Sequence, residues 1–174
     1  MVDFDRANGD QALLLGYEGE AGLTAVLASE EIDTRFLQRS MGQINERLFL
    51  LAQEANLHSA PTLDAEHLMN LGGNLCHMFN QVIWDLPAGR PSGALEVLDN
   101  AQTRIILTDL TVQDARHTLR LLREIGDESS GQHLLLVVNP TRNAGAGLID
   151  RAQFEAFVGR RIDLVLPHVG NVLS

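Results

Sequence analysis

The stretch FNQVIWDLPAG, residues 79–89, places an acid at the end of an apolar run. Four of its apolar residues, Val82, Ile83, Trp84 and Leu86, suit a buried β-strand. Short, nearly continuous apolar runs are typical of strands covered on both faces. Asp85 lies in this run and is followed at once by Leu-Pro. Because a carboxylate is costly to bury, its position at a strand end indicates either a turn or a functional site.

Three more short apolar runs follow this one: RIILTD (104–109), HLLLVVN (133–139) and IDLVLP (162–167). Helical patterns with a period of 3.6 residues cover 64–79, 111–125 and 150–158, alternating with the apolar runs. Alternating strands and helices indicate right-handed crossover units. The predicted fold is therefore α/β, a mostly parallel, doubly wound sheet with helices on both faces.

The N-terminal third has a less regular pattern. VDF (2–4) is typical of a strand end, 12–16 and 22–28 of short helices, 33–47 of a longer helix, and LFLLA (48–52) of another strand. Only two residues precede Asp3, whereas a strand averages about 5–6 residues. We therefore expect residues 1–174 to be a single domain that begins inside a fold.

The composition excludes several classes of protein. A net charge of −10 argues against a nucleic-acid-binding protein and against a polybasic membrane patch. A single cysteine, Cys76, excludes an intramolecular disulfide. All thirteen basic residues are arginine, so the chain has no lysine for a Schiff base, a receiver-type site or a phosphate-binding loop. NAGAG (143–147) lacks the spacing of such a loop and is interpreted as a connection.

Polar residues follow the predicted strands at the edge where open parallel sheets bind ligands. They are Asp3, Asp5, Asp85, Asp109 and Asn139, and Pro167 follows the last strand. Grouped carboxylates suit Mg²⁺, and an asparagine offers the paired donor and acceptor that a purine edge requires. The alternative is that a strand-end Asp forms a turn or caps a helix, which we favour for Asp109. Asn139-Pro140 is also a common turn opening.

The order of these segments resembles the MinD/ParA superfamily of deviant P-loop ATPases, and within it the TadZ/CpaE-type Flp pilus-assembly proteins. The resemblance covers about residues 1–170 and rests on these segments: VDFDRANGDQALLLG (2–16), GLTAVLASEEIDTRFLQRSM (22–41), LFLLAQEANL (48–57), FNQVIWDLPAG (79–89), VLDNAQTRIILTDLTVQDARHTLRLL (97–122), LLLVVN (134–139) and LIDRAQFEAFVGRRIDLVLP (148–167). The resemblance implies an incomplete P-loop NTPase-like fold with ATP and Mg²⁺ as cofactors.

The resemblance also implies a role for each candidate site residue. Asp85 would be the Walker-B-type acid that holds Mg²⁺ through water, and Asp3 would lie near the metal. Asp5 would be the catalytic carboxylate that positions the attacking water. Asn139 would contact the adenine, and the backbone around Pro167 would flank the base. The implied chemistry is phosphoryl transfer to water.

The implied partners are a second copy of the protein and the pilus secretion machinery. The resemblance predicts a cytoplasmic homodimer that localises this machinery at the cell pole and associates peripherally with the inner membrane. No nucleic acid is expected, because the chain is acidic. A ParA-type DNA-partitioning protein therefore fits less well.

The chain departs from the family pattern in three places. The deviant Walker A loop and the strand before it are absent, Pro140 stands where an arginine is common, and the chain ends at Ser174, where family members usually continue. We therefore expect a fragment, truncated at the N-terminus and also at the C-terminus, that does not hydrolyse ATP by itself. A non-enzymatic scaffold, or pseudo-ATPase interaction module, is the alternative function.

Overall fold

A computed structural model describes residues 1–5, 9–19, 22–52, 64–89, 92–126, 128, 131–140 and 148–168. The chain forms two compact units, Met1–Val97 and Leu98–Ser174. The NAGAG stretch (143–147) lies outside the described residues. Among the helices described, none is long and apolar enough to cross a membrane.

The first unit contains two short parallel strands beside a helical layer. Its elements, with the helix that follows them, are β1 (Val2–Asp3), α1 (Gln11–Leu14), α2 (Leu23–Ala28), α3 (Thr34–Ser40), β2 (Gly42–Gln43), β3 (Phe49–Leu50), α4 (Ala65–Met78), β4 (Trp84–Asp85) and α5 (Ala94–Asn100). β1 pairs in parallel with β4, and Leu51 forms a parallel bridge to Val2. β2 and β3 form an antiparallel pair.

Helix α4 forms where the 3.6-residue pattern predicts it. Asp64 precedes the helix, and its carboxylate accepts a hydrogen bond from the Glu66 backbone N–H, which satisfies one unpaired donor of the first turn. The buried stripe of α4 consists of Leu68, Leu71 and Leu75. This stripe packs into the same core as Val2 of β1 and the following residue Phe4, so the helix covers the strand that ends in Asp3.

The helix predicted over 33–47 is too long, since α3 ends at Ser40. Gly42 is buried against the Tyr17 ring, which leaves no room for a side chain, and it pairs with Leu50 as part of β2. The Asn45 carboxamide oxygen then accepts hydrogen bonds from two backbone N–H groups and forms a turn. Helix α5 was not among the helices that the sequence patterns predicted.

The second unit contains a three-stranded parallel sheet. Its elements are β5 (Thr103–Thr108), α6 (Val112–Ile125), β6 (His133–Val138), α7 (Arg151–Val158) and β7 (Leu164–Val165), with strand order β5-β6-β7. Asp150 and Gln153 form a capping box at the start of α7, and Gly159 ends this helix with a φ of 76°. The predicted α/β fold with parallel strands is confirmed.

The core of the second unit lies between this sheet and its helices. Alternate strand residues, such as Ile106 and Leu136, pack with Phe154 of α7 in one buried cluster. Their neighbours on the opposite face are open to solvent, with Ile105 60% and Leu107 63% exposed. In the described part of the chain, α6 and α7 therefore cover one face of this sheet.

Candidate functional site

The first unit brings Asp3 and Asp85 together at one edge of its parallel strand pair. Asp3 ends β1 and Asp85 ends β4, and they are partners in the register. Because partners in a parallel pair have their side chains on the same face, the two carboxylates are neighbours. Asp3 is only 1% exposed, whereas Asp85 is half-buried. The sequence placed both acids at strand ends, but only the register makes them adjacent.

The Asp3 carboxylate accepts hydrogen bonds from two backbone N–H groups. The Gln11 N–H donates to Oδ2 over 3.0 Å, and the Asp5 N–H donates to Oδ1 over 3.2 Å. Burial raises the pKa of Asp3 above its ordinary value, these two hydrogen bonds oppose the rise, and the negative charges of Asp85 and Asp5 add to it. The ionised form of Asp3 is therefore held in place but is not fully compensated, which favours a cationic partner.

Gln11, the first residue of α1, connects the two acids. Its side-chain Nε2 donates to Asp85 Oδ2 over 2.5 Å, while its backbone N–H donates to Asp3. Neither the sequence patterns nor the resemblance singled out this residue. Since 74 positions separate Gln11 from Asp85, no local sequence signal predicts the contact.

Gly9 packs directly against the Asp3 carboxylate. A Cβ atom at this position would lie 2.7 Å from Asp3 Oδ2 and 2.8 Å from the backbone oxygen of Asp5. Real Cβ atoms essentially never approach other atoms within 3.0 Å. The site therefore requires glycine at this position for steric reasons. The glycine four residues after Asp5 was the available sequence signal.

These residues fit a hydrated magnesium ion better than a metal enclosed by protein ligands. Mg²⁺ usually keeps several waters and binds through one or two carboxylates together with substrate phosphates. Asp3 and Asp85 supply two such carboxylates at the carboxyl edge of parallel strands. Within the described residues, no group of three or more His, Cys, Asp or Glu side chains could hold a metal. Two carboxylates leave most positions around a divalent cation unfilled, so a cation bound here would bring its own waters or phosphates.

The second unit places Asn139 and Pro167 at the ends of neighbouring parallel strands, β6 and β7. Both residues are exposed, and the Asn139 backbone N–H donates to the Thr108 carbonyl over 2.8 Å. His168 Nδ1 lies 2.9 Å from the Pro140 carbonyl oxygen, so the segments that follow the two strands are in contact. The predicted base-contacting residues therefore share one edge of this sheet. They belong to a different unit from Asp3, Asp5 and Asp85.

Asp109 has the local role that its position before a helix predicted. It is buried at the end of β5, and its Oδ1 accepts a hydrogen bond from the Leu110 N–H over 2.8 Å. The helix cap itself is the next polar residue, Thr111, whose hydroxyl accepts from the Asp114 N–H. Asp109 therefore makes a local hydrogen bond at the end of β5 and is not the cap of α6.

The fold is that of the ParA and MinD ATPases. The chain is similar to a ParA family ATPase from Chlorobium tepidum, with 19% identity and a TM-score of 0.71, over 86% of this chain and 61% of that protein. It is also similar to the MinD cell division protein of Aquifex aeolicus, with 19% identity and a TM-score of 0.67, over 95% of this chain and 67% of that protein. This chain thus spans about two thirds or less of either relative.

No family model matches the sequence, and no curated protein matches it significantly.

Proposed function

We propose that this chain is the ATPase-type domain of a MinD/ParA-like protein, and that its first unit supplies the magnesium side of a nucleotide site. The observation that carries the proposal is the pairing of Asp3 with Asp85 at the carboxyl ends of two parallel strands. This is the edge at which open parallel sheets bind ligands. The fold shared with ParA and MinD supports the same assignment.

The three acids of the first unit, Asp3, Asp5 and Asp85, each have a defined role in this proposal. Asp85 holds a magnesium-bound water, and the buried Asp3 adds negative charge beside it. When bound, Mg²⁺ neutralises charge that develops on the phosphate oxygens. Asp5 positions the attacking water, since the hydrogen bond from its backbone to Asp3 keeps it beside the acid pair. These roles concern position and charge, which dominate catalysis of phosphoryl transfer.

The residues proposed to contact the adenine lie in the second unit. Asn139 and Pro167, exposed at adjacent strand ends, are the proposed adenine contacts. A lysine that binds phosphate must come from outside the 174 residues, because they contain none. We therefore expect this chain to bind Mg²⁺ weakly and not to hold ATP with micromolar affinity.

Paramagnetic Mn²⁺ tests the magnesium side of the site, because Mn²⁺ prefers the same oxygen ligands as Mg²⁺. Added to the ¹⁵N-labelled chain, it should broaden the amide resonances of Asp3, Asp5 and Asp85 first. Asp85→Asn should remove this selectivity, whereas Asp99→Asn on the exposed surface of α5 should preserve it. Broadening that spreads evenly over the acidic surface, or that is identical in the two variants, would contradict the proposal.

The finer proposal is a TadZ/CpaE-like role in localising the Flp pilus secretion machinery. The protein would act as a homodimer at the cell pole, peripherally associated with the inner membrane. This proposal is supported by the ordered sequence segments described above. In a bacterium with Flp pili that lacks the full-length protein, the wild-type protein should restore pili, and Asp85→Asn at equal abundance should not. Full piliation with Asp85→Asn would favour the scaffold role.

A further inference from the structure

Gln11 occupies the space between the two acids of the site. Its backbone N–H faces Asp3 Oδ2, and its side-chain amide faces Asp85 Oδ2. Gln11 therefore contacts one oxygen of each carboxylate. Gln11 is half-buried and is the first residue of α1, a helix of four residues.

The carboxamide of Gln11 is a neutral substitute for a cation. An amide N–H supplies a positively polarised hydrogen to Asp85, as a metal-bound water would. It supplies no net positive charge, so the repulsion between the two carboxylates persists. A cation that binds Asp85 Oδ2 beside Asp3 would therefore have to replace the contact from the Gln11 side chain.

We infer that the Gln11 side chain occupies the Asp3–Asp85 site in the cation-free protein. It binds Asp85 there and leaves the site when a hydrated divalent cation binds. This inference rests on the proposed magnesium site. Gln11 then acts as a positioning residue, and its contact with Asp85 raises the apparent Kd of the site for the cation. Its departure removes the side-chain contact that ties the first residue of α1 to β4.

The test compares cation affinity in three forms of the full chain: the wild type, Gln11→Met and Gln38→Met. Methionine keeps the length of the side chain and the backbone N–H to Asp3 but cannot donate to Asp85. Gln38 is an exposed glutamine of α3 and serves as the matched control. Titration with Mn²⁺, followed by broadening of the Asp85 amide resonance, gives the apparent Kd of each.

Gln11→Met should bind Mn²⁺ about tenfold more tightly than the wild type, because one hydrogen bond to a charged group no longer competes. Gln38→Met should match the wild type. If all three proteins bind with equal affinity, or if Gln11→Met binds more weakly, Gln11 is not an occupant and the inference is wrong. If none of them binds, the proposed magnesium site fails, and the inference fails with it.

A second measurement uses only the wild-type chain and does not depend on the folding of a variant. Diamagnetic Mg²⁺ is added, and the side-chain NH₂ resonances of Gln11 are followed. At saturation they should move towards the positions of the exposed Gln38 pair. Gln11 resonances that stay in place while the Asp85 amide shifts would overturn the inference.

Discussion

Replacement of Gly9 by alanine should damage the acid pair directly. The φ angle of Gly9 is not positive, so the backbone can accept alanine and the effect is purely steric. The new Cβ would lie 2.7 Å from Asp3 Oδ2, whereas ordinary contact begins at 3.4 Å. The Asp5 carbonyl oxygen, 2.8 Å away, belongs to the backbone and cannot swing aside. The Asp3 carboxylate must therefore move.

The magnitude follows from what Asp3 loses when it moves. Its Oδ2 accepts the Gln11 N–H over 3.0 Å, and a displacement of about 0.7 Å would lengthen or break this bond. A hydrogen bond to a charged group contributes about 1.5–3 kcal/mol. We therefore expect Gly9→Ala to lower the free energy of unfolding by about 1.5–3 kcal/mol. The selective broadening of the Asp3 and Asp85 resonances by Mn²⁺ should weaken as well.

Urea denaturation of Gly9→Ala beside Gly73→Ala provides the assay and its control. Gly73 lies inside α4, has no positive φ, and an added Cβ would meet no atom within 4 Å. Alanine there should stabilise the chain by about 0.5–1 kcal/mol, because glycine is a poor helix former. A Gly9→Ala protein as stable as the wild type, with unchanged Asp3 resonances, would refute the steric argument.

Urea denaturation tests three further predictions. Burial raises the pKa of Asp3 in the folded protein, so protonation of Asp3 stabilises the fold; this contribution is complete below its ordinary pKa of 3.8 and is lost as the pH rises. Asp3→Asn should therefore gain stability relative to the wild type between acid and neutral pH. A stability difference between the two proteins that does not change with pH would contradict this. Thr118→Val should cost about 1–2 kcal/mol by removing the buried 3.0 Å contact with the Thr108 hydroxyl. Adding Thr108→Val should recover much of this loss, and an additive double variant would argue against the pairing. Phe154→Ala should cost about 3–5 kcal/mol, because Phe154 is fully buried, and a loss below 1 kcal/mol would contradict the core assignment.

Helix ends were predictable where a local signal decides them. Asp150, Gln153 and Gly159 are within ten positions of one another, and their hydrogen bonds and backbone preferences act on a single helix, α7. The end of α3 was not predictable in this way. It depends on Gly42 packing against Tyr17, a residue 25 positions earlier. The apolar pattern of 33–47 is compatible with a helix until that contact forms.

The candidate site shows the same division between local and tertiary information. Asp3 and Asp85 were identifiable because an acid directly after an apolar run is conspicuous in any sequence. Their pairing depends on the register of β1 with β4. Gln11 carried no signal, since a glutamine at the start of a short helix is ordinary until Asp85 lies beside it. Asn139 and Pro167 were likewise expected at strand ends, and the strand order made them neighbours.

By itself, the sequence determined the alternation of strands and helices, the helix caps and the acids and asparagine that follow the strands. These features depend on hydrophobic period and on hydrogen bonds between residues close in the chain. Tertiary structure alone decided the register of Asp3 with Asp85 and the contact from Gln11 to Asp85. Each depends on segments far apart in sequence that meet only when the apolar surfaces of strands and helices are buried together.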